Sequence, residues 1–241
     1  MVRISGKRRR GGLWALWMWL WMGATGAWGQ GIELHRVFGK ALFPKAGRPE
    51  WTVTASQMGA LRWGLIGGRV DMHVGNKGVT GAYGEFRYEW RTKWDGWAVL
   101  TEYDGGIDRG TAYGEAILGG MCYRWDSPDF TRGYSLSVVY KYIPDNKAHH
   151  NFQVGGTWDF GMGKVVETRG FAKIWREYLG ENGGEYHVWM EPQVWWNVGS
   201  MKQGTFGESN LSLGSEVAIR YSFGIAPSFY AIPSVAIRFT F

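Results

Sequence analysis

Cysteine is almost absent. Cys122 is the only one in 241 residues, so an intrachain disulfide is impossible and no cysteine cluster can hold a metal. It lies too deep in the chain to be a lipid-anchor cysteine and reads as a small residue inside a strand. Long apolar runs are equally scarce. The run Leu13 to Met22 is far shorter than the roughly 20 residues of a membrane-spanning helix. It follows Arg3, Lys7, Arg8, Arg9 and Arg10 and precedes small residues around Ala27-Trp28-Gly29, which predicts a cleaved secretory signal peptide over residues 1–29. A surplus of one charge is missing too: the formal +6 includes five basic residues and no acid from that leader, leaving +1 on residues 30–241. A nucleic-acid partner is therefore not expected, because a binding face needs clustered Lys and Arg in the mature chain.

What is abundant is glycine, with 38 residues, and aromatic residues, at 17%, alongside a mean hydropathy of −0.26. That combination fits a membrane barrel, in which only alternate residues of each strand meet lipid. The stretch Gly133 to Phe160 shows the pattern. Tyr134, Leu136, Val138, Tyr140 and Tyr142 alternate with Ser135, Ser137, Val139 and Lys141; after Pro144-Asp145-Asn146, Phe152, Val154, Gly156, Trp158 and Phe160 alternate with Gln153, Gly155, Thr157 and Asp159. Period two predicts strands, and aromatic ends around smaller apolar centres suit a bilayer crossing.

The same period recurs along one domain, residues 30–241. Strands are predicted near Ile32–Phe38, Trp51–Met58, Leu65–Val74, Val79–Arg91, Gly96–Gly105, Ala112–Trp125, Lys164–Glu177, Glu185–Asn197, Gly207–Tyr221 and a last one ending at Phe241, with the hairpin above completing twelve. No helix is expected after the leader. The fold class is thus an all-β, transmembrane, antiparallel up-and-down barrel of twelve strands, an even number that puts both termini on the periplasmic side. The sixth strand is ambiguous, because Glu115 and Ile117 share a parity, and a bulge is expected there. Register is also open in the second and ninth strands, where a one-residue slip would reverse every facing assignment. A water-soluble barrel or sandwich is the competing all-β architecture, with its apolar face inward.

The stretches Gly133–Ile143, His150–Val154, Gly170–Glu177, Glu191-Pro192-Gln193 and Ile237–Phe241 resemble a family of small outer-membrane barrels related to the nucleoside-specific channels of the Tsx-like type. The similarity spans most of the mature chain. It implies a monomeric twelve-stranded barrel in the outer membrane with a narrow pore for nucleosides or similar solutes. It carries over no individual contact residue. The terminal Phe241, preceded by alternating apolar residues, also resembles the signal read by the outer-membrane assembly machinery.

The residues predicted to face the lumen are Arg69, Asp71, His73, Glu85, Arg87, Glu89, Glu102, Asp104, Lys141, Asp159, Lys173, Glu191, Glu216 and Arg238. Charges of both signs can pair across a narrow barrel and leave a constricted polar path, or plug it. Phe171, Trp175, Trp189 and Trp195 share that side with His187, Gln193 and Asn197, and bases stack on aromatic faces at roughly 1–3 kcal/mol per contact. These residues are the candidate solute contacts. No cofactor, metal or catalytic residue is expected. The alternatives are a structural or solute-binding barrel without transport, and a lipid-modifying hydrolase. For the latter, His149-His150-Asn151 is the obvious stretch, but no serine lies beside it to serve as nucleophile.

Overall fold

The structure, a computed structural model, describes residues 27–42, 49–76, 78–108, 111–129, 131–144, 146, 149–163, 165–178, 184–198, 210–221 and 229–240. The strands are β1 (Ala27–Val37), β2 (Trp51–Leu61), β3 (Gly64–Gly75), β4 (Gly78–Arg91), β5 (Trp97–Asp108), β6 (Thr111–Asp126), β7 (Arg132–Tyr142), β8 (His150–Met162), β9 (Val166–Tyr178), β10 (Gly184–Met190), β11 (Gln193–Asn197), β12 (Leu211–Tyr221) and β13 (Phe229–Thr240). Each strand pairs antiparallel with the next, except that β10 and β11 each pair with β9 and β12, and β1 pairs with β13, so the sheet closes. The expected leader lies outside the described residues, except that Ala27–Gly29 extend β1; Phe241 lies outside as well. One expectation fails locally: Gly39–Leu42 forms a single helical turn, α1, where no helix was predicted.

Thirteen strands make twelve staves, because β10 and β11 are two halves of one. Both lie between β9 and β12, and the register passes the gap without a shift: Met190 faces Ala172 and Ile219, while Gln193 faces Arg169 and Glu216. The predicted continuous strand Glu185–Asn197 is thus interrupted at Glu191-Pro192. Proline has no N–H to give to the ladder. Its carbonyl still accepts from Val217 N–H at 3.1 Å, and Glu191 N–H still reaches Phe171 C=O at 3.0 Å. Gly170 sits opposite, where a Cβ would run into the Glu191 carbonyl and Pro192.

The distribution of apolar surface is inside out. Val99, Leu136, Val138, Val154, Ile174, Val194, Leu213 and Ile237 are exposed on the outer face at mid-strand. Aromatic rings flank this belt: Trp63, Trp90, Trp94, Trp97, Trp125 and Trp196 at the end that carries the termini, Trp51, Tyr140, Phe152, Tyr186, Tyr221 and Phe229 at the other. Such a belt between two aromatic girdles is the surface of a barrel standing in a bilayer. The alternating polar residues, among them Glu33, Asp71, Glu102, Lys141, Gln153 and Arg238, are buried inside. The water-soluble arrangement, apolar inside and charged outside, is excluded by this polarity.

The lumen is not polar all round. Ala98, Leu100, Ala116, Leu118, Cys122, Val139 and Ile143 form a buried apolar cluster on the inner wall of β5, β6 and β7. This explains why β6 shows no clean alternation: Leu118 is buried inside while Ile117 is exposed outside. The bulge is present too. Asp104 pairs with Ala116 but Gly106 with Tyr113, so β6 takes one extra residue there. The register in β2 and β9 is as read from the sequence, with Thr54 and Trp175 buried and Ile174 exposed.

Candidate functional site

Period-two folding delivers the inward charges to a shared interior, and the barrel's small circumference lets them meet across it. At mid-height the Arg69 guanidinium on β3 reaches the opposite wall, donating from Nη2 to Glu191 Oε2 at 2.6 Å and from Nε to Asp71 Oδ1 at 2.9 Å. Asp71 also accepts from Thr54 Oγ1 at 2.7 Å. Glu191 accepts twice more, from Trp189 Nε1 at 2.7 Å and Arg220 Nη2 at 3.2 Å. The carboxylate at the break in this stave thus holds two guanidiniums and an indole.

A second crossing joins β9 to β4 and β5: Lys173 Nζ donates to Glu85 at 2.8 Å and Glu102 at 2.9 Å. Asp104 lies 3.6 Å from the Lys141 ammonium, which donates to Gln153 at 3.1 Å. Carboxylate oxygens of Glu85, Glu102 and Asp104 fall within 4.8 Å of one another, a donor set of the kind that holds a cation, and the Lys173 ammonium already caps two of them. Toward the termini, Arg169 pairs with Glu33, and Arg238 grips Glu167 with both Nη atoms, at 2.8 and 2.6 Å. Arg124 and Arg87 share Glu89.

Lumen-facing positions were legible for Arg69, Asp71, His73, Glu85, Arg87, Glu102, Lys141, Lys173, Glu191, Gln193 and Arg238, all of them buried or half-buried inside. Asp159 differs: its side chain is exposed, at the mouth of the lumen rather than deep within it. Glu33, His35, Arg124, Glu167, Arg169 and Arg220 were absent from the candidate set yet complete these clusters. The signal existed for Glu33, His35 and Arg169, which share parity with polar neighbours, whereas β6's irregular pattern hid Arg124.

The aromatic residues are inside, but not as open platforms. Trp175, Trp189 and Trp195 are at most 3% exposed. His187 stacks on Trp175 at 5.4 Å, with the Lys141 ammonium 4.4 Å from its ring. Arg220 lies 4.8 Å from the Trp189 ring, which Tyr83 and Phe171 meet edge-on. Arg238 and Arg169 lie 4.5 and 5.5 Å from Trp195. Cations already occupy the sites where a base was expected to stack; these rings position guanidiniums by cation–π attraction. Phe171 alone of the four also borders open space.

That space is a chamber of about 500 Å³ in the half of the barrel that bears the termini, bordered by Glu33, Glu85, Arg87, Arg124, Asp159, Arg169, Phe171 and Gln193. Its size is that of small-molecule sites, roughly 300–1,000 Å³. Toward the opposite end lies a smaller pocket of about 50 Å³, lined by His35, Asp71, His73, Glu191, Glu216 and Arg220 among others. On the outer surface the histidine stretch does not converge: His150 Nδ1 meets the Tyr140 hydroxyl, whereas Asn151 is buried in the lumen.

Among solved structures the chain is similar to the NanC porin, with 8% identity, a TM-score of 0.55 and coverage of 88% of this chain and 98% of that one. It also matches the KdgM porin, at 8% identity and TM-score 0.49 over 89% and 99% of the two chains, and LpxR from Salmonella typhimurium, at 10% and 0.46 over 89% and 100%. At such identities the likeness to NanC is one of fold, a closed antiparallel barrel. No curated protein matches the chain. Residues 29–241 match the family described as "Domain of unknown function (DUF5020)", and the chain belongs to that family.

Proposed function

We propose that this chain is an outer-membrane barrel acting as a narrow passive channel for small polar organic solutes, nucleosides or molecules of similar size, and that it works as a monomer without a cofactor. The observation that carries this reading is the chamber of about 500 Å³ set in a lumen of mixed charge. Arg69, Arg87, Arg124, Lys141, Lys173, Arg169, Arg220 and Arg238 are matched there by a similar number of carboxylates. A charge-balanced wall of hydrogen-bonding groups suits uncharged or zwitterionic solutes and offers little field to concentrate ions of one sign. Phe171 supplies the apolar contact for a flat solute. The leader, the lipid-facing belt and the terminal Phe241 support outer-membrane lipid and the assembly machinery as its partners. The dispersal of His150 and Asn151 to opposite faces speaks against a hydrolase built on them.

One observation favours a second reading, a structural barrel: ion pairs and tryptophans fill the middle of the lumen. Single-channel recording in planar bilayers separates the two. A channel gives discrete conductance steps that adenosine or thymidine blocks and glucose does not. A correctly inserted barrel silent under all conditions refutes transport and leaves the structural reading.

A further inference from the structure

The chamber and the small pocket beyond it have two lining residues in common, Thr54 and Arg69. Elsewhere among the described residues the two ends of the lumen are separated by packed side chains. On the β5–β7 wall these are Leu100, Leu118 and Val139, and next to them the Trp175–His187 stack. A void of about 10 Å³ beside Lys173, against Leu100 and Val139, is no larger than one water needs, roughly 10–15 Å³. A route that joins these two spaces hugs β2, β3 and β12 and passes Arg69.

The side chain standing in this neck is a long one with several rotatable bonds. Arg69 projects from a rigid stave, and its guanidinium is held at Asp71 on its own strand and latched to Glu191 across the lumen. Its planar fork lies 5.3 Å from the Phe171 ring on the chamber side. Losing the Glu191 contact while keeping that to Asp71 would let the side chain fold back along β3 with the backbone in place. With Arg69 withdrawn from the centre, the neck is lined by Asp71, Glu191 and Glu216 against the single guanidinium of Arg220.

We infer that Arg69, latched by Glu191, is the gate and selectivity residue of this barrel: it closes the neck, and its positive charge keeps a carboxylate-lined constriction from selecting cations. The inference rests on the channel reading above. Neutral and zwitterionic solutes bearing an ammonium group are the class that this neck admits, with free anions disfavoured by the three carboxylates.

The test is planar-bilayer recording on the full refolded chain in a KCl gradient, comparing wild type with Arg69→Ala, Glu191→Gln and, on the lipid-facing surface, Val138→Ala. Heat-modifiable gel mobility confirms that each variant is folded. Arg69→Ala is expected to raise conductance severalfold and move the reversal potential in the cation-selective direction. Glu191→Gln is expected to raise open probability with a smaller change in selectivity, and Val138→Ala to leave both near wild type. If wild type conducts and Arg69→Ala changes neither quantity, the gate is refuted while the channel reading stands. If neither wild type nor Arg69→Ala conducts, the channel reading itself falls and takes the gate with it.

Discussion

Replacing Glu191 by alanine is the most informative stability test, because one carboxylate anchors three donors from three elements. Its side chain is 3% exposed and its guanidinium partners Arg69 and Arg220 are 19% and 11% exposed, so little water stands ready to replace it. Removing one member of a buried ion pair costs about 3–5 kcal/mol, since the remaining charge is left uncompensated. Arg69 keeps Asp71 at 2.9 Å, which places the expected loss at the low end, about 3 kcal/mol or on the order of a hundredfold in the folding equilibrium constant. Reversible urea unfolding from lipid vesicles, followed by tryptophan fluorescence, measures it. A cycle with Arg69→Met isolates the pair term from the general effect of either truncation. A loss under about 1 kcal/mol, the value of an exposed salt bridge, would refute the reasoning and mean that the neck is fully hydrated.

Three further outcomes follow from the same geometry. Leu136→Arg, on the lipid face at mid-strand, is expected to destabilise the inserted barrel by roughly 2–4 kcal/mol in the same unfolding assay, whereas a water-facing position would tolerate it. Gly214→Ala puts a methyl into the Trp195 ring that lies over it and is expected to cost about 1–3 kcal/mol, with a shift in tryptophan emission as the ring is displaced. Trp195→Ala, which empties a fully buried site and strips Arg238 and Arg169 of their shared ring, is expected to cost roughly 3–5 kcal/mol; a stable variant with altered solute block instead would make Trp195 a solute contact.

The sequence by itself determined the barrel and the facing of its staves. Alternation with period two is a local property, and at Gly133–Phe160 or Leu65–Val74 it sorts lipid-facing from lumen-facing residues before any pairing is known. It became unreadable only where both faces want the same chemistry. Along β6, Leu118 belongs to an apolar inner wall and Ile117 to lipid, and an extra residue near Glu115 resets the parity. Which inward residues meet was decided by the tertiary structure alone. Arg69 and Glu191 are 122 positions apart and Lys173 and Glu85 are 88 apart, and no periodicity relates them. Barrel closure and strand stagger set those distances, and they also turned Trp175, Trp189 and Trp195 from open stacking surfaces into seats for guanidinium and ammonium groups. The interruption at Pro192 was written in the sequence as a missing donor, but only the unbroken register on both sides shows that it aims Glu191 into the neck rather than ending the stave.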